Sequence, residues 1–119
     1  MIVPEKAIRV ANYSNVKKAK VAAIALTSSG QIIAFAHNKR ISGNPKKFTQ
    51  HAEEVLIQKL NKLRAFDRFK NIIILVIRIN IFGLSMAKPC NKCQKLLQEY
   101  PANILYSGWD QQIYRLKSE

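Results

Sequence analysis

Four residues in two short stretches carry the chemistry of this sequence. The stretch TQHAEEVL, 49–56, sets His51 two residues before Glu53. The stretch AKPCNKCQKL, 87–96, holds the two cysteines of the chain, Cys90 and Cys93. Three apart on the first turn of a helix, the two thiols share a face. A helix N-terminus favours negative charge, so it lowers thiol pKa and supports two thiolates. Two thiolates match a soft-to-borderline divalent metal, zinc above all, and supply half of a tetrahedral site. A redox dithiol is the competing reading, as is a pair of idle core cysteines. Redox pairs usually open the helix after the first strand of their fold, whereas this pair follows a late strand, so metal is preferred.

The remaining ligands must come from His37 and His51, the only histidines. If both bind, the site is closed and structural; if one binds, it stays open and can be catalytic. His51 opens a helix. His37 ends a strand in FAHNKR and shares a face with Ile33 and Phe35, which reads better as a core-edge or surface residue. Side chains two apart diverge on a helix body, but on the first turn both can reach a group lying ahead of the helix end. Glu53 and Glu54 could simply complement the helix dipole. The dipole explains the acids but neither the histidine nor the paired cysteines.

The elements that would position these residues follow from periodicity. Residues 5–13 read as a short helix, with Pro4 suited to its first turn. Val21–Leu26 and Ile32–Ala36 flank SSG and read as a hairpin with Gly30 in the turn. Asn38–Gln50 is a basic loop. From His51, Ala52, Leu56, Leu60 and Leu63 give a helix with one buried face. NIIILVIRINIF, apolar on both sides, is a central strand covered on both faces. GLSMAKP is a loop, CNKCQKLLQEY a second helix closed by Pro101, and ANILYSG and QIYRL two final strands. Strand–helix–strand crossovers require parallel neighbours with helices packed on the sheet. The last two strands are too close for a crossover and should form an antiparallel hairpin. The expected architecture is a three-layer α/β/α domain over residues 1–119, with a mixed five-stranded sheet.

Composition narrows the classes. A hydrophobic content of 48% in 119 residues fits one folded domain and excludes disorder. The start MIVPEKAIRVANYSN has no apolar leader core, and the longest apolar run, Ile72–Ile77, is too short for a membrane span. A cytoplasmic protein without membrane partners is expected. The net charge of +13 attracts polyanions, nucleic acid first, unless the excess only solubilises the surface.

HAE at 51–53 followed by PCNKC at 89–93, in this order of elements, resembles the cytidine deaminase-like superfamily of zinc nucleobase deaminases. The resemblance covers nearly the whole chain. It implies that His51, Cys90 and Cys93 hold Zn2+, which supplies a hydroxide from water near neutral pH. It makes Glu53 the catalytic acid/base, carrying a proton from water to the ring nitrogen and assisting ammonia departure. Asn38 resembles an asparagine that binds the sugar in several families of this fold. By the same resemblance Phe48 and Thr49 would wall the base pocket, and the Ala52 N–H would bind the base carbonyl. Trp109 would stack on substrate or plug the core. The terminal hairpin resembles the free-nucleoside branch, whereas a histidine as first ligand resembles the nucleotide, tRNA and polynucleotide branches.

Lys39, Arg40, Lys46 and Lys47 lie in the loop entering the zinc helix, and Lys88 and Lys92 flank the cysteines. Six charges converging on a pocket mouth suit a strand running past it, which favours cytosine in a nucleic acid as substrate. The alternatives are free cytidine, deoxycytidine or deoxycytidylate, a tRNA or adenosine-type deaminase, and a non-catalytic nucleic-acid-binding module in which His37 closes the site. Glu53 argues against the last, because a structural zinc needs no acid beside its ligand.

Overall fold

The structure is a computed structural model that describes residues 5–12, 20–40, 49–80 and 83–116. In chain order its elements are α1 (Glu5–Asn12), β1 (Lys20–Leu26), β2 (Ile32–His37), β3 (Lys39–Arg40), β4 (Thr49–Gln50), α2 (Ala52–Lys62), α3 (Ala65–Arg68), β5 (Ile72–Asn80), β6 (Gly83–Ser85), α4 (Asn91–Gln98), β7 (Ala102–Ser107) and β8 (Ile113–Arg115).

One mixed sheet runs in the order β2-β1-β5-β7-β8. The expected hairpin of β1 and β2 forms, with Gly30 at φ 92° in its turn. There the Gly30 N–H donates to the Thr27 carbonyl at 2.9 Å. A side chain would be strained at that φ. β1 also lies antiparallel to β5, while β5 and β7 are parallel, joined through α4. The closing pair, β7 and β8, is antiparallel, as its short connection requires.

Alternation along β1 and β5 builds two cores. Ala22, Ile24, Leu26, Leu75 and Ile77 face α1 and bury Ala7, Val10 and Ala11. Ala23, Ala25, Ile72, Ile74 and Val76 face the other way, against Ala52, Leu56, Ile57 and Leu60 of α2 and Leu97 of α4. The alanines that give β1 an ambiguous propensity face both helix layers, and their small side chains let α1 and α2 pack onto the same strand.

Three details depart from the sequence reading. The helix after His51 is broken at Arg64, whose φ of 52° is left-handed, so that residues 65–68 form the separate short helix α3. The segment read as the loop GLSMAKP begins with β6, which pairs antiparallel with the far half of β5 and brings the sheet to six strands. The basic loop contains a small ladder, β3 with β4. β6 was illegible because three residues are too few to show a period.

Candidate metal centre and adjoining cavity

His51 and Cys90 occupy equivalent places, each the N-cap of its helix. Both have extended backbones, with φ −75° and ψ 140° at His51 and φ −65° and ψ 165° at Cys90. Neither side chain is used as a cap, so both are available to a group lying ahead of the helix ends. The Gln94 Nε2 donates to the Pro89 carbonyl at 2.8 Å and holds the turn that presents Cys90. The β3–β4 ladder pairs Lys39 with Gln50 and Arg40 with Thr49, tying the chain after Asn38 to the residues that lead into His51.

The two helix ends meet. His51 Nδ1 lies 3.3 Å from the Cys93 Sγ and 4.0 Å from the Cys90 Sγ. One ligand atom from each of the three residues falls within 4.8 Å of the others. Tetrahedral zinc with bonds of about 2.0 Å to nitrogen and about 2.3 Å to sulfur places its ligand atoms roughly 3.6–3.8 Å apart. The observed separations bracket that range, and one imidazole with two thiols is a zinc donor set. His37 is not part of the cluster; its Nδ1 lies 3.0 Å from the Asn38 carbonyl oxygen. Among the described residues the group therefore has three protein donors and the open form.

Glu53 is 6% exposed, behind His51 on the first turn of α2. Burial pushes its carboxyl above the usual carboxylate range, against the opposing pull of a backbone hydrogen bond and of His51. Burial also pushes the Cys93 thiol up, and the Glu53 charge adds to that. The carboxylate charge opposes ionisation of the thiol, whereas the hydrogen bond from Cys93 favours the ionised carboxylate, and a divalent cation beside them would favour both ionised forms.

A cavity of about 320 Å³ opens beside the cluster. Val21 and Asn38 line it from the sheet, His51, Ala52 and Glu53 from α2, and residues 86–90 from the cysteine turn. Asn38 is 5% exposed, and its Oδ1 accepts from the Val21 N–H at 2.9 Å, which fixes its carboxamide at the cavity wall. The N–H of Ala52, in the first turn of α2, has no carbonyl partner within the helix.

A family model described as the cytidine and deoxycytidylate deaminase zinc-binding region matches residues 2–108. The chain belongs to this family. The resemblance read from HAE and PCNKC is thus borne out, and the His51, Cys90 and Cys93 cluster is consistent with the zinc of that description. Solved structures agree in fold. The cytidine deaminase of Burkholderia pseudomallei superposes with a TM-score of 0.66 at 13% identity, covering 95% of this chain and 87% of that one. The dCMP deaminase of the cyanophage S-TIM5 gives 0.63 at 22%, covering 88% and 79%. The cytidine deaminase of Mycobacterium leprae gives 0.59 at 16%, covering 93% and 87%. No curated protein sequence matches the chain.

Within this deaminase-family framework the other expected residues divide. Asn38, Ala52 and Lys88 line the cavity beside His51 and Glu53. Lys92 does not; it lines a separate groove between α2 and α4, with Glu54 and Tyr100, so the six lysines and arginines do not all converge on one mouth. Three residues past the cysteine-turn proline, Lys92 has rotated to the outer side of α4. Trp109 is 65% exposed, which removes the core-plug reading, and it is not among the cavity-lining residues. Phe48, Lys46 and Lys47 lie outside the described residues. Val21, Met86 and Arg78 line the cavity and were missed. Arg78 had a readable signal: it is the first charge in IIILVIRIN and shares parity with Ile72, Ile74 and Val76.

No described helix is long and apolar enough to cross a membrane.

Proposed function

We propose that this chain is a zinc-dependent hydrolytic deaminase that converts cytosine to uracil, with a single-stranded or locally opened nucleic acid as its substrate. The observation that carries the chemistry is the meeting of His51, Cys90 and Cys93 at two helix starts with buried Glu53 beside them. In this reading the three hold zinc, which when bound makes a water acidic enough to attack the ring near neutral pH. Glu53 takes a proton from the water and delivers it to the ring nitrogen as the C4–O bond forms; it then takes the proton of the new C4 hydroxyl and gives it to the amine, so that the C4–N bond breaks, ammonia leaves and the C4 carbonyl remains. The burial of Glu53 suits a carboxyl that must give a proton back as readily as it accepts one. The Ala52 N–H holds the base carbonyl, and Asn38 the sugar.

The nucleic-acid part of the proposal is supported by the net charge of +13 and by Lys88 on the cavity. Two free thiols at the centre suit a reducing compartment such as the cytoplasm. A free nucleotide is the second reading. It is favoured by the position of Lys92 away from the cavity, which leaves fewer cations at the mouth than a long strand would use.

Ammonia release from deoxycytidine, deoxycytidylate, single-stranded DNA, double-stranded DNA and RNA tests these readings together. The proposal expects turnover of single strands in excess of free deoxycytidine. Turnover confined to the nucleoside would overturn the substrate, and no turnover of any cytosine substrate by zinc-loaded protein would overturn the activity.

A further inference from the structure

β5 carries an apolar stripe toward α2 and α4 from Ile72 through Ile74 and Val76. The next residue of that parity is Arg78, half-buried and lining the cavity. An arginine on the core-facing side of a central strand needs a partner. Among the described residues its guanidinium has neither a hydrogen bond nor an ion pair. No fully buried side-chain nitrogen or oxygen among those residues lacks a partner, so the guanidinium nitrogens reach accessible space, and Arg78 lines the cavity. Among the described residues Glu53 is the one acid that lines that cavity.

The backbone of Arg78 is held where two edge partners abut. β7 pairs with β5 as far as Val76, and β6 takes over at Arg78. Two buried serines close the junction. The Arg78 N–H donates to the Ser107 Oγ at 3.2 Å, the Ser85 hydroxyl donates to the Arg78 carbonyl at 3.5 Å, and the Ser107 hydroxyl donates to the Ser85 carbonyl at 2.8 Å. A cation with no partner among the described residues is thus mounted on fixed backbone at the wall of the cavity, and Lys88, also without a partner among them, lines the same cavity.

We propose that Arg78 is a specificity-determining residue that binds the phosphate of the target nucleotide, with Lys88 assisting from the rim. The inference rests on the deaminase reading above and deepens it. A guanidinium fork matches phosphate oxygens in pairs, whereas a cytosine ring offers it no anion. The phosphate can be the monoester of a nucleoside monophosphate or the diester of a strand, since both present the same oxygens.

The test compares kcat/KM for deoxycytidine, deoxycytidylate and a short single-stranded oligonucleotide bearing one cytosine, in the zinc-loaded wild type, Arg78→Gln and Arg78→Lys. The wild type should prefer a phosphorylated substrate. In Arg78→Gln the ratio of that substrate to deoxycytidine should fall roughly 10- to 100-fold, the usual scale for a hydrogen bond to a charged group. Arg78→Lys should recover part of it. A ratio that falls for deoxycytidylate identifies the monoester, and one that falls only for the oligonucleotide identifies the diester. An unchanged ratio for both overturns the proposal. Calorimetric binding of deoxycytidylate, the oligonucleotide and deoxycytidine to the same proteins separates this outcome from failure of the deaminase reading. If nothing is deaminated, selective binding of a phosphorylated ligand that Arg78→Gln removes still supports the site. Equal binding of all three overturns it.

Discussion

The two faces of β5 are alike for most of their length and differ at one end. Toward α1 the strand offers Ile73, Leu75, Ile77 and Ile79, apolar throughout. Toward α2 and α4 it offers Ile72, Ile74 and Val76, and then Arg78. The first face is packed to its end. The second stops packing where the helix starts bring His51, Glu53 and the cysteines together, and the cavity opens there. Where a core-facing stripe turns polar, burial gives way to chemistry, and that boundary can be probed from both sides.

The largest effect should come from Cys93→Ala on the polar side. Cys93 is fully buried and sits 3.3 Å from His51 Nδ1, so its loss should remove bound zinc, measured by metal analysis, together with all deamination. Retained zinc with full activity would break the assignment of the site to this face. On the packed side, Leu75→Ala should cost about 2–5 kcal/mol in denaturant unfolding, because it leaves a cavity among Val10, Ile24 and Ile77. Its KM should stay that of the wild type, and a changed KM would mean that the two faces are not independent.

Asn38→Ala should cost about 1–2 kcal/mol by the same unfolding measurement, since the Val21 N–H loses its Oδ1 acceptor. It should also raise KM, which Leu75→Ala should not. The smallest effects should distinguish two lysines. Lys88→Ala should weaken oligonucleotide binding a few-fold and flatten its salt dependence, whereas Lys92→Ala, in the groove between α2 and α4, should leave both nearly unchanged. Equal effects would return Lys92 to the cavity mouth.

Much of this arrangement is legible in the sequence because the informative residues sit at element boundaries. His51 and Cys90 are N-caps, where side chains point ahead of a helix, so two motifs far apart in the chain imply a meeting point once both helices lie on one sheet. The parallel β5–β7 crossover and the antiparallel end follow from connection length alone. What was not legible depends on tertiary placement. β6 exists because the outer half of β5 needs an edge partner beyond β7, a requirement that no local pattern expresses. Lys88 and Lys92 each lie within two residues of a cysteine in sequence, and only the turn of α4 sends them to different surfaces. Arg78 hid within a run read as apolar on both sides, although its parity with Val76 already placed it on the face of the site.

The proposed deamination requires Glu53 to act in proton transfer beside a zinc site that it does not help to hold. Glu53→Gln keeps the shape of the side chain and removes its proton chemistry. Zinc content and ammonia release measured on the same preparation of this variant should show wild-type zinc and deamination reduced by at least about 100-fold. Deamination at the wild-type rate with zinc in place would contradict it.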